Sequence, residues 1–289
     1  MKKHKGSSVL ILDGKAVAKA RREALKQKIA KLPSKPGLAV VLVGEDKASQ
    51  VYVGGKIKAC HELGIESYEV LLPANVTEAE LKKQIDRLNE DKNVHGMIVQ
   101  LPLPKGINSQ KAIGWVSPHK DADCLTMENL GALWAGQPRT MPCTPSGVMA
   151  ILEHYKIDVS GLNAVVVGRS NIVGKPMAHL LSSANATVTI CHSKTKKLRE
   201  HLKRADIAVI AAGQPEFLGG EDFAKDSVVI DVGIHRTAIA GGKDRLCGDV
   251  RFSELNVRAA TPVPGGVGPM TITMLMENTV RLYELSQQH

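Results

Sequence analysis

The chain has 289 residues, of which 43% are apolar and only 3% aromatic, and it carries a net charge of +9. That length suits two domains or one large α/β domain, and the apolar share can build a core without disulfides or metals. The basic residues are spread along the sequence apart from Lys2, Lys3 and Lys5, and no stacking aromatics accompany them. This weakens a nucleic-acid reading and leaves anionic small molecules as the better partner for the charge. The five cysteines, Cys60, Cys124, Cys143, Cys191 and Cys247, are odd in number and show no Cys-x-x-Cys spacing. They argue against a disulfide framework and a zinc site, so a reducing compartment and no metal are expected. No stretch approaches about 18 consecutive apolar residues, and the basic start lacks an apolar h-region. Neither a membrane span nor a signal peptide is therefore expected.

Strand-like and helix-like segments alternate along the chain. Residues 14–31 have a helical pattern, and residues 38–43 form an apolar run closed by Gly44. Asp46 can cap a helix that ends near Gly64. Residues 67–72 read as a strand, Thr77 and Glu80 have capping-box spacing, and 94–99 is again a strand. The pattern loosens over 117–145. Thr144 and Pro145 have the chemistry of a helix start, with the helix running through Tyr155. A second series follows, with strands at 164–167, 187–191, 207–212 and 228–232 and helices at 176–183 and 198–204. The last helix, from Thr271 to about Ser286, carries one apolar stripe of Ile272, Leu275, Met276, Leu282 and Leu285. The series implies two α/β halves with parallel strands, split near residue 140, and a closing helix returning to the first half.

The run Val165-Val166-Val167-Gly168-Arg169-Ser170-Asn171-Ile172-Val173-Gly174 is a strand, a tight turn and a helix start. It departs from the Gly-x-Gly-x-x-Gly fingerprint, because Ser170 replaces the second glycine and the last is one residue late. The next strand ends Cys191-His192-Ser193-Lys194-Thr195, where an NAD site usually places a carboxylate for the ribose hydroxyl. Hydroxyl and cationic groups stand there instead, with Arg169 able to join them. That chemistry suits a 2′-phosphate, hence NADP.

Tyr52 and Lys56 lie four apart on one helix face, just past the carboxyl end of the 38–43 strand. Gly54 and Gly55 between them cost about 1 kcal/mol each in a helix, which suggests close packing on that backbone. Gln100 ends the 94–99 strand, and Asp121 and Asp123 follow in Lys120-Asp121-Ala122-Asp123-Cys124. Taken singly, each is as readily a solvated or turn residue. Residues 261–270 hold three prolines and three glycines ahead of the last helix, which reads as a rigid loop approached by a flat ligand.

Together these motifs resemble the bifunctional methylenetetrahydrofolate dehydrogenase/methenyltetrahydrofolate cyclohydrolase family over nearly the whole chain. The motifs are Ala48-Ser49-x-x-Tyr52-Val53-x-x-Lys56, Gln100-Leu101-Pro102-Leu103-Pro104, Lys120-Asp121-Ala122-Asp123, Gly168-Arg169-Ser170-x-x-Val173-Gly174, Cys191-His192-Ser193-Lys194-Thr195 and Pro262-Val263-Pro264-Gly265-Gly266-Val267-Gly268-Pro269-Met270-Thr271. The resemblance implies a two-domain α/β fold. A folate-site domain would span 1–142 plus the closing helix 271–289, and a Rossmann-like NADP-binding domain would span 143–270. It implies Tyr52, Lys56, Gln100 and Asp123 as catalytic and folate-binding residues, with Pro264, Gly265 and Gly268 on the substrate. Gly168, Arg169, Ser170, Ser193, Ile234 and Thr271 fall to the cofactor. A cytoplasmic homodimer acting on tetrahydrofolate derivatives, with neither nucleic acid nor membrane as partner, is expected.

The implied reactions are oxidation of 5,10-methylene-tetrahydrofolate and hydrolysis of the resulting methenyl cation. Lys56 would act as base or activate the water, Gln100 would orient it, Asp123 would hold the pterin donors and Tyr52 would stack on the folate. A monofunctional dehydrogenase is the alternative, opposed by the presence of Tyr52, Lys56 and Gln100 together. A generic NADP oxidoreductase would leave the first half's motifs idle, and a non-catalytic folate binder has only Cys124 in its favour. The family usually has glycine at that position. If it requires a positive φ, Cys124 is strained there and the Asp123 loop sits differently.

Overall fold

The computed structural model describes residues 9–238 and 244–288, so Lys2, Lys3 and Lys5 lie outside the described residues. In chain order the elements are β1 (Leu10–Ile11), α1 (Gly14–Ile29), β2 (Gly37–Val43), α2 (Lys47–Leu63), β3 (Glu66–Leu72), α3 (Glu78–Glu90), β4 (Gly96–Val99), α4 (Ser109–Ile113), α5 (Met127–Trp134) and α6 (Cys143–His154). There follow β5 (Asn163–Val167), α7 (Gly174–Ser183), β6 (Thr187–Cys191), α8 (Leu198–Lys203), β7 (Ile207–Ile210), β8 (Val228–Asp231), β9 (His235–Ala238), β10 (Asp244–Cys247), β11 (Ala259–Ala260) and α9 (Val267–Ser286). They form two compact units. One takes in Ala20–Cys143 with the chain from Ile272 onward, and the other takes in the chain up to Lys19 with Thr144–Thr271.

In the first unit, β2 is flanked by β3 and β4 in parallel, in the order β3-β2-β4. All seven residues of β2 are buried, as a continuous Gly-Leu-Ala-Val-Val-Leu-Val run covered on both faces must be. Helix α3 packs Leu81, Ile85 and Leu88 into this core. Its Thr77–Glu80 capping box forms as the spacing predicts, with each side chain bonded to the other residue's backbone N–H. Asp46 caps α2 by accepting from Ser49 N at 2.7 Å, and Gly64 closes that helix at φ +81°.

Most of α9 belongs to this unit. Arg21 donates a two-pronged pair of bonds to Glu277 at 2.8 and 3.0 Å. Asn278 Nδ2 donates to the carbonyls of Ala122 and Met141 at 2.8 and 2.7 Å. Tyr283 is buried, bonds Ser34 through its hydroxyl and meets the His95 ring edge-on at 4.8 Å. His95 Nδ1 accepts from Gly37 N at 2.9 Å, and burial lowers its pKa, helped by the charge of Lys120. A neutral imidazole is what that acceptor role requires.

The second unit is a six-stranded parallel sheet in the order β6-β5-β7-β8-β11-β1. β5 and β7 are apolar and buried over Ala164–Val167 and Ile207–Ile210. β5 is flanked by β6 on one side and β7 on the other, with Val167 paired to both Cys191 and Ile210. The order therefore switches at β5, which marks the crevice beyond its carboxyl end as the ligand site. This is a Rossmann-like unit.

Three features depart from the sequence reading. The expected 1–142 domain loses its start, because β1 pairs in parallel with β11 of the other unit. Helix α9 begins at Val267 rather than Thr271. Pro269 is compatible with that first turn, where its missing N–H would have no intrahelical partner. Finally, β9 and β10 form an antiparallel ribbon in a stretch to which the sequence reading assigned no element. Among the described residues, no helix is long and apolar enough to cross a membrane.

Candidate active site

In the first unit, the carboxyl ends of β2 and β4 deliver two of the expected residues to one place. Lys56 Nζ donates to Gln100 Oε1 at 3.0 Å, and Gln100 Nε2 donates on to the Leu101 carbonyl at 2.6 Å. Gln100 is itself fixed by its backbone N–H on Val41 O at 2.8 Å. The amide oxygen is thus committed to the lysine and the amide nitrogen to the chain, which orients Lys56 without a carboxylate. Tyr52 lies one turn earlier on α2 and is 38% exposed, leaving ring area for a flat ligand. The glycines between them do not report close packing. A side chain at Gly54 would meet nothing within 4 Å, and one at Gly55 would only touch Ile272 Cδ1 at 3.4 Å. The expectation drawn from their helix cost is therefore overturned at Gly54, which instead lines a cavity on the β3 side of α2.

The two aspartates have different fates. Asp121 is buried and anchors its loop: its carboxylate accepts from Leu125 N at 2.9 Å, Thr126 N at 2.8 Å and Asn129 Nδ2 at 3.1 Å. Burial pushes its pKa up and those donors pull it down. Asp123, two residues on, is half-buried. Its charge acts on the thiol of Cys143, a residue with no assigned role in the sequence reading. Burial pushes the Cys143 thiol well up, the charge of Asp123 pushes the same way, and Lys56 opposes them. Cys143 also receives Asn278 Nδ2 at 3.5 Å and donates to Ala122 O at 3.4 Å. The structure thus brings Lys56 and Gln100 into direct contact, with Asp123 and Lys56 both acting on one buried thiol.

Between the aspartates and α5, Cys124 sits fully buried at φ +58°. The strain anticipated for a cysteine at this position is therefore real. A left-handed conformation costs a non-glycine residue about 1–2 kcal/mol. Burial also raises the Cys124 thiol to about 12, with the charges of Asp121 and Asp123 adding to the shift. At an ordinary site Cys→Ala is milder than Cys→Gly. Here the order is expected to invert, with Cys124→Gly more stable than Cys124→Ala by about 1 kcal/mol in urea unfolding. The ordinary order would remove the backbone strain from this account.

In the Rossmann-like unit a cavity of about 390 Å³ lies beyond the switch in strand order. Gly168, Arg169, Ser170 and Ser193 line it together, joined by His192, Gln214 and Phe217. Gly168 has φ +138°, and a Cβ there would lie 2.3 Å from Ala211 O. A Cβ at Gly174 would lie 2.3 Å from Gly168 O, so both glycines serve the tight strand-to-helix turn. Ser170 explains its departure from the fingerprint: its Oγ accepts from Val173 N at 3.1 Å and Gly174 N at 3.3 Å, filling donors at the start of α7.

His192 and Thr195 are taken up within their own turn, by Lys194 N at 3.1 Å and His192 N at 2.8 Å. The side chains of Arg169 and Ser193 are exposed, with no hydrogen bond to the described residues. A guanidinium and a hydroxyl beside a β6 end without a carboxylate fit a 2′-phosphate.

The remaining expected residues belong to this unit but do not line that cavity. Ile234 is 43% exposed after β8, and Thr271 Oγ1 bonds Thr144 Oγ1 at 3.0 Å. Pro264 and Gly268 are exposed, and Gly265 has φ +108°. The glycine-rich loop serves the chain as well as any ligand. A Cβ on Gly266 would lie 2.6 Å from Pro262 O, whereas Gly268 faces open space. Among the described residues, no cluster of His, Cys, Asp or Glu could hold a metal ion.

A parallel α/β unit presenting a lysine–glutamine pair, and a Rossmann-like unit with a phosphate-seeking turn, define a two-domain dinucleotide-dependent enzyme. The family models agree. The catalytic domain of tetrahydrofolate dehydrogenase/cyclohydrolase matches residues 12–123, and its NAD(P)-binding domain matches residues 142–287. The chain belongs to the tetrahydrofolate dehydrogenase/cyclohydrolase family. It is 56% identical over 282 residues to the bifunctional protein FolD of Bdellovibrio bacteriovorus, covering 96% of this chain and 97% of that one. The bifunctional FolD of Campylobacter jejuni superposes with a TM-score of 0.91 at 44% identity, covering 96% of this chain and 99% of that one. The Trypanosoma brucei enzyme, complexed with NADP cofactor and inhibitor, superposes at 0.93 with 40% identity, covering 97% and 99%.

Proposed function

We propose that the protein oxidises 5,10-methylene-tetrahydrofolate with NADP and hydrolyses the methenyl product to 10-formyl-tetrahydrofolate. The observation that carries the hydrolytic step is the 3.0 Å bond from Lys56 to Gln100, since hydride transfer alone has no use for a lysine so held. The relatives named bifunctional, and the NADP bound to the similar trypanosomal enzyme, support the same reading. NADP, when bound, accepts the hydride from the one-carbon unit. Arg169 and Ser193 hold its 2′-phosphate, with Gly168 and Ser170 shaping the turn beneath it. Ile234 and Thr271 are the further cofactor-binding residues of this reading, and Pro264, Gly265 and Gly268 its further folate-binding residues.

Tyr52 stacks on the folate, and Asp123 accepts from the pterin's donor nitrogens. In the hydrolytic step, water adds to the methenyl carbon while Lys56 takes its proton and Gln100 fixes the amine's direction. Ring opening then breaks the carbon–nitrogen bond as that proton returns to the departing ring nitrogen, and the hydroxyl on the same carbon loses its own proton to solvent as the formyl carbonyl forms. A monofunctional dehydrogenase would leave that amine and its amide partner idle.

Initial rates with methylene-tetrahydrofolate and either NADP or NAD, at matched concentrations, test the cofactor half. NADP is expected to be faster, and Arg169→Ala should narrow the gap at least tenfold by weakening NADP. Equal rates with the two cofactors would contradict it.

We further propose that the chain works as a homodimer in the cytoplasm. The outer side of β3 carries no partner strand among the described residues, and Leu71 on that strand and Val51 on α2 are 65% and 59% exposed. Bare edges of this kind are normally covered. Sedimentation equilibrium should give twice the chain mass and Leu71→Glu the single mass; a monomeric wild type would contradict the dimer. Five buried cysteines without a disulfide suit a reducing compartment.

A further inference from the structure

Beside the cofactor cavity lies a buried carboxylate to which neither the family motifs nor the proposed mechanism gives a role. Asp249 follows β10 and is fully buried. Its Oδ2 accepts from Ala212 N at 2.7 Å and Gly213 N at 3.1 Å, and its Oδ1 accepts from Gln214 N at 2.9 Å. Three successive backbone N–H groups thus converge on one side chain. Gly213, in the middle at φ +70°, gives the turn the curvature this convergence needs. Such a backbone nest is ordinarily a site for an external anion. Here the protein supplies the anion itself.

The nest is the segment leaving β7, and Ala212 and Gln214 are also walls of the 390 Å³ cavity holding Arg169, Ser170 and Ser193. The position of that wall is therefore set from behind by Asp249. The carboxylate is in turn oriented from the other side, because His235 Nε2 lies 2.7 Å from its Oδ1. His235 opens β9 directly after Ile234. Asp249 is also held by its own backbone: its N–H donates to Asp231 Oδ1 at 3.0 Å, and Val250 N donates to Asp231 Oδ2 at 2.9 Å. Only glycine fits the gap, since a Cβ at Gly233 would lie 2.5 Å from the Asp249 carboxyl carbon.

We propose that Asp249 and His235 are positioning residues for the cofactor: the carboxylate fixes the Ala212–Gln214 wall of the NADP cavity, and the imidazole fixes the carboxylate. An asparagine at 249 would keep the shape but turn an N–H donor toward backbone donors. The wall would then move, and NADP would bind to a cavity of different width. Loss of the imidazole leaves the nest intact but frees the carboxylate to rotate, a smaller effect.

The inference rests on the NADP reading, and hydrolysis of methenyl-tetrahydrofolate in the absence of NADP gives an internal control, because that step uses the folate-site residues and no dinucleotide. NADP affinity is measured by calorimetry on the full-length wild type, Asp249→Asn, His235→Ala and His235→Gln, with cyclohydrolase rates beside it. Asp249→Asn should weaken NADP tenfold or more, raise KM for NADP more than it lowers kcat, and leave cyclohydrolase turnover within twofold. His235→Ala should weaken NADP several-fold, and His235→Gln, which keeps a donor, should recover most of it. Variants binding NADP within twofold of wild type would overturn the proposal, as would cyclohydrolase turnover falling in step with NADP affinity. If Asp249→Asn does not fold, the two His235 variants decide by the same criteria. A wild type that fails to bind NADP would overturn the cofactor reading and the pair together, whereas equal binding by wild type and variants overturns the pair alone.

Discussion

Replacing Lys56 with methionine is expected to abolish hydrolysis of methenyl-tetrahydrofolate while sparing oxidation of the methylene form. Methionine keeps the unbranched stem on α2 and removes only the amine that reaches Gln100 at 3.0 Å. A positioned base contributes about 10²–10⁴-fold, so the cyclohydrolase rate should fall by that factor, toward the uncatalysed rate. Oxidation needs no proton transfer, only a substrate carbon presented to the nicotinamide. An ammonium about 4 Å from the developing cation would even oppose it, by about 4 kcal/mol at an effective dielectric of 20. The dehydrogenase rate of Lys56→Met should therefore stay within about tenfold of wild type, the range left for altered folate placement. Separate assays of the two activities check this. Retained hydrolysis would remove Lys56 from the mechanism, and equal loss of both would make it a binding residue only.

Asp123→Asn should instead depress both activities together. The carboxylate offers acceptors alone, whereas the amide offers one acceptor and one donor. If the pterin presents two N–H groups, one charge-assisted bond is lost and the other weakened. Bonds to charged groups are worth about 1.5–3 kcal/mol, so KM for the folate should rise by about 10- to 100-fold in each assay. NADP affinity should not change. Because Asp123 is half-buried, Asp123→Asn keeps the shape and polarity of the site while Asp123→Ala does not. The alanine variant should be less stable as well as less active. An unchanged folate KM in Asp123→Asn would take this residue out of the substrate site.

Much of this arrangement was legible in the sequence, for identifiable reasons. Apolar runs at 38–43 and 164–167 read as buried strands, and a capping box at Thr77–Glu80 fixes a helix start locally. Lys56 and Gln100 were legible because both follow the carboxyl ends of such strands. What stayed hidden depends on contacts distant in sequence. Nothing local says that Leu10 and Ile11 pair with Ala259 and Ala260, so the first domain was drawn too long at its start. Cys143 reads as one more inert cysteine until Asp123 and Asn278 are found against it, 20 and 135 residues away. Asp249 has the same character, since its three donors lie 35–37 residues earlier. The glycine pair at 54–55 misled because a helix cost was read as evidence of packing, whereas Gly54 faces open space. At Cys124 the reasoning from a glycine's backbone freedom held, and the φ of +58° is the finding.

The most direct test of the central proposal is the product made by the purified wild-type protein from 5,10-methylene-tetrahydrofolate and NADP. NADPH and 10-formyl-tetrahydrofolate are expected in equal amounts, with 10-formyl-tetrahydrofolate formed well above its rate from methenyl-tetrahydrofolate in buffer. NADPH accompanied by methenyl-tetrahydrofolate that decays only at the buffer rate would contradict it.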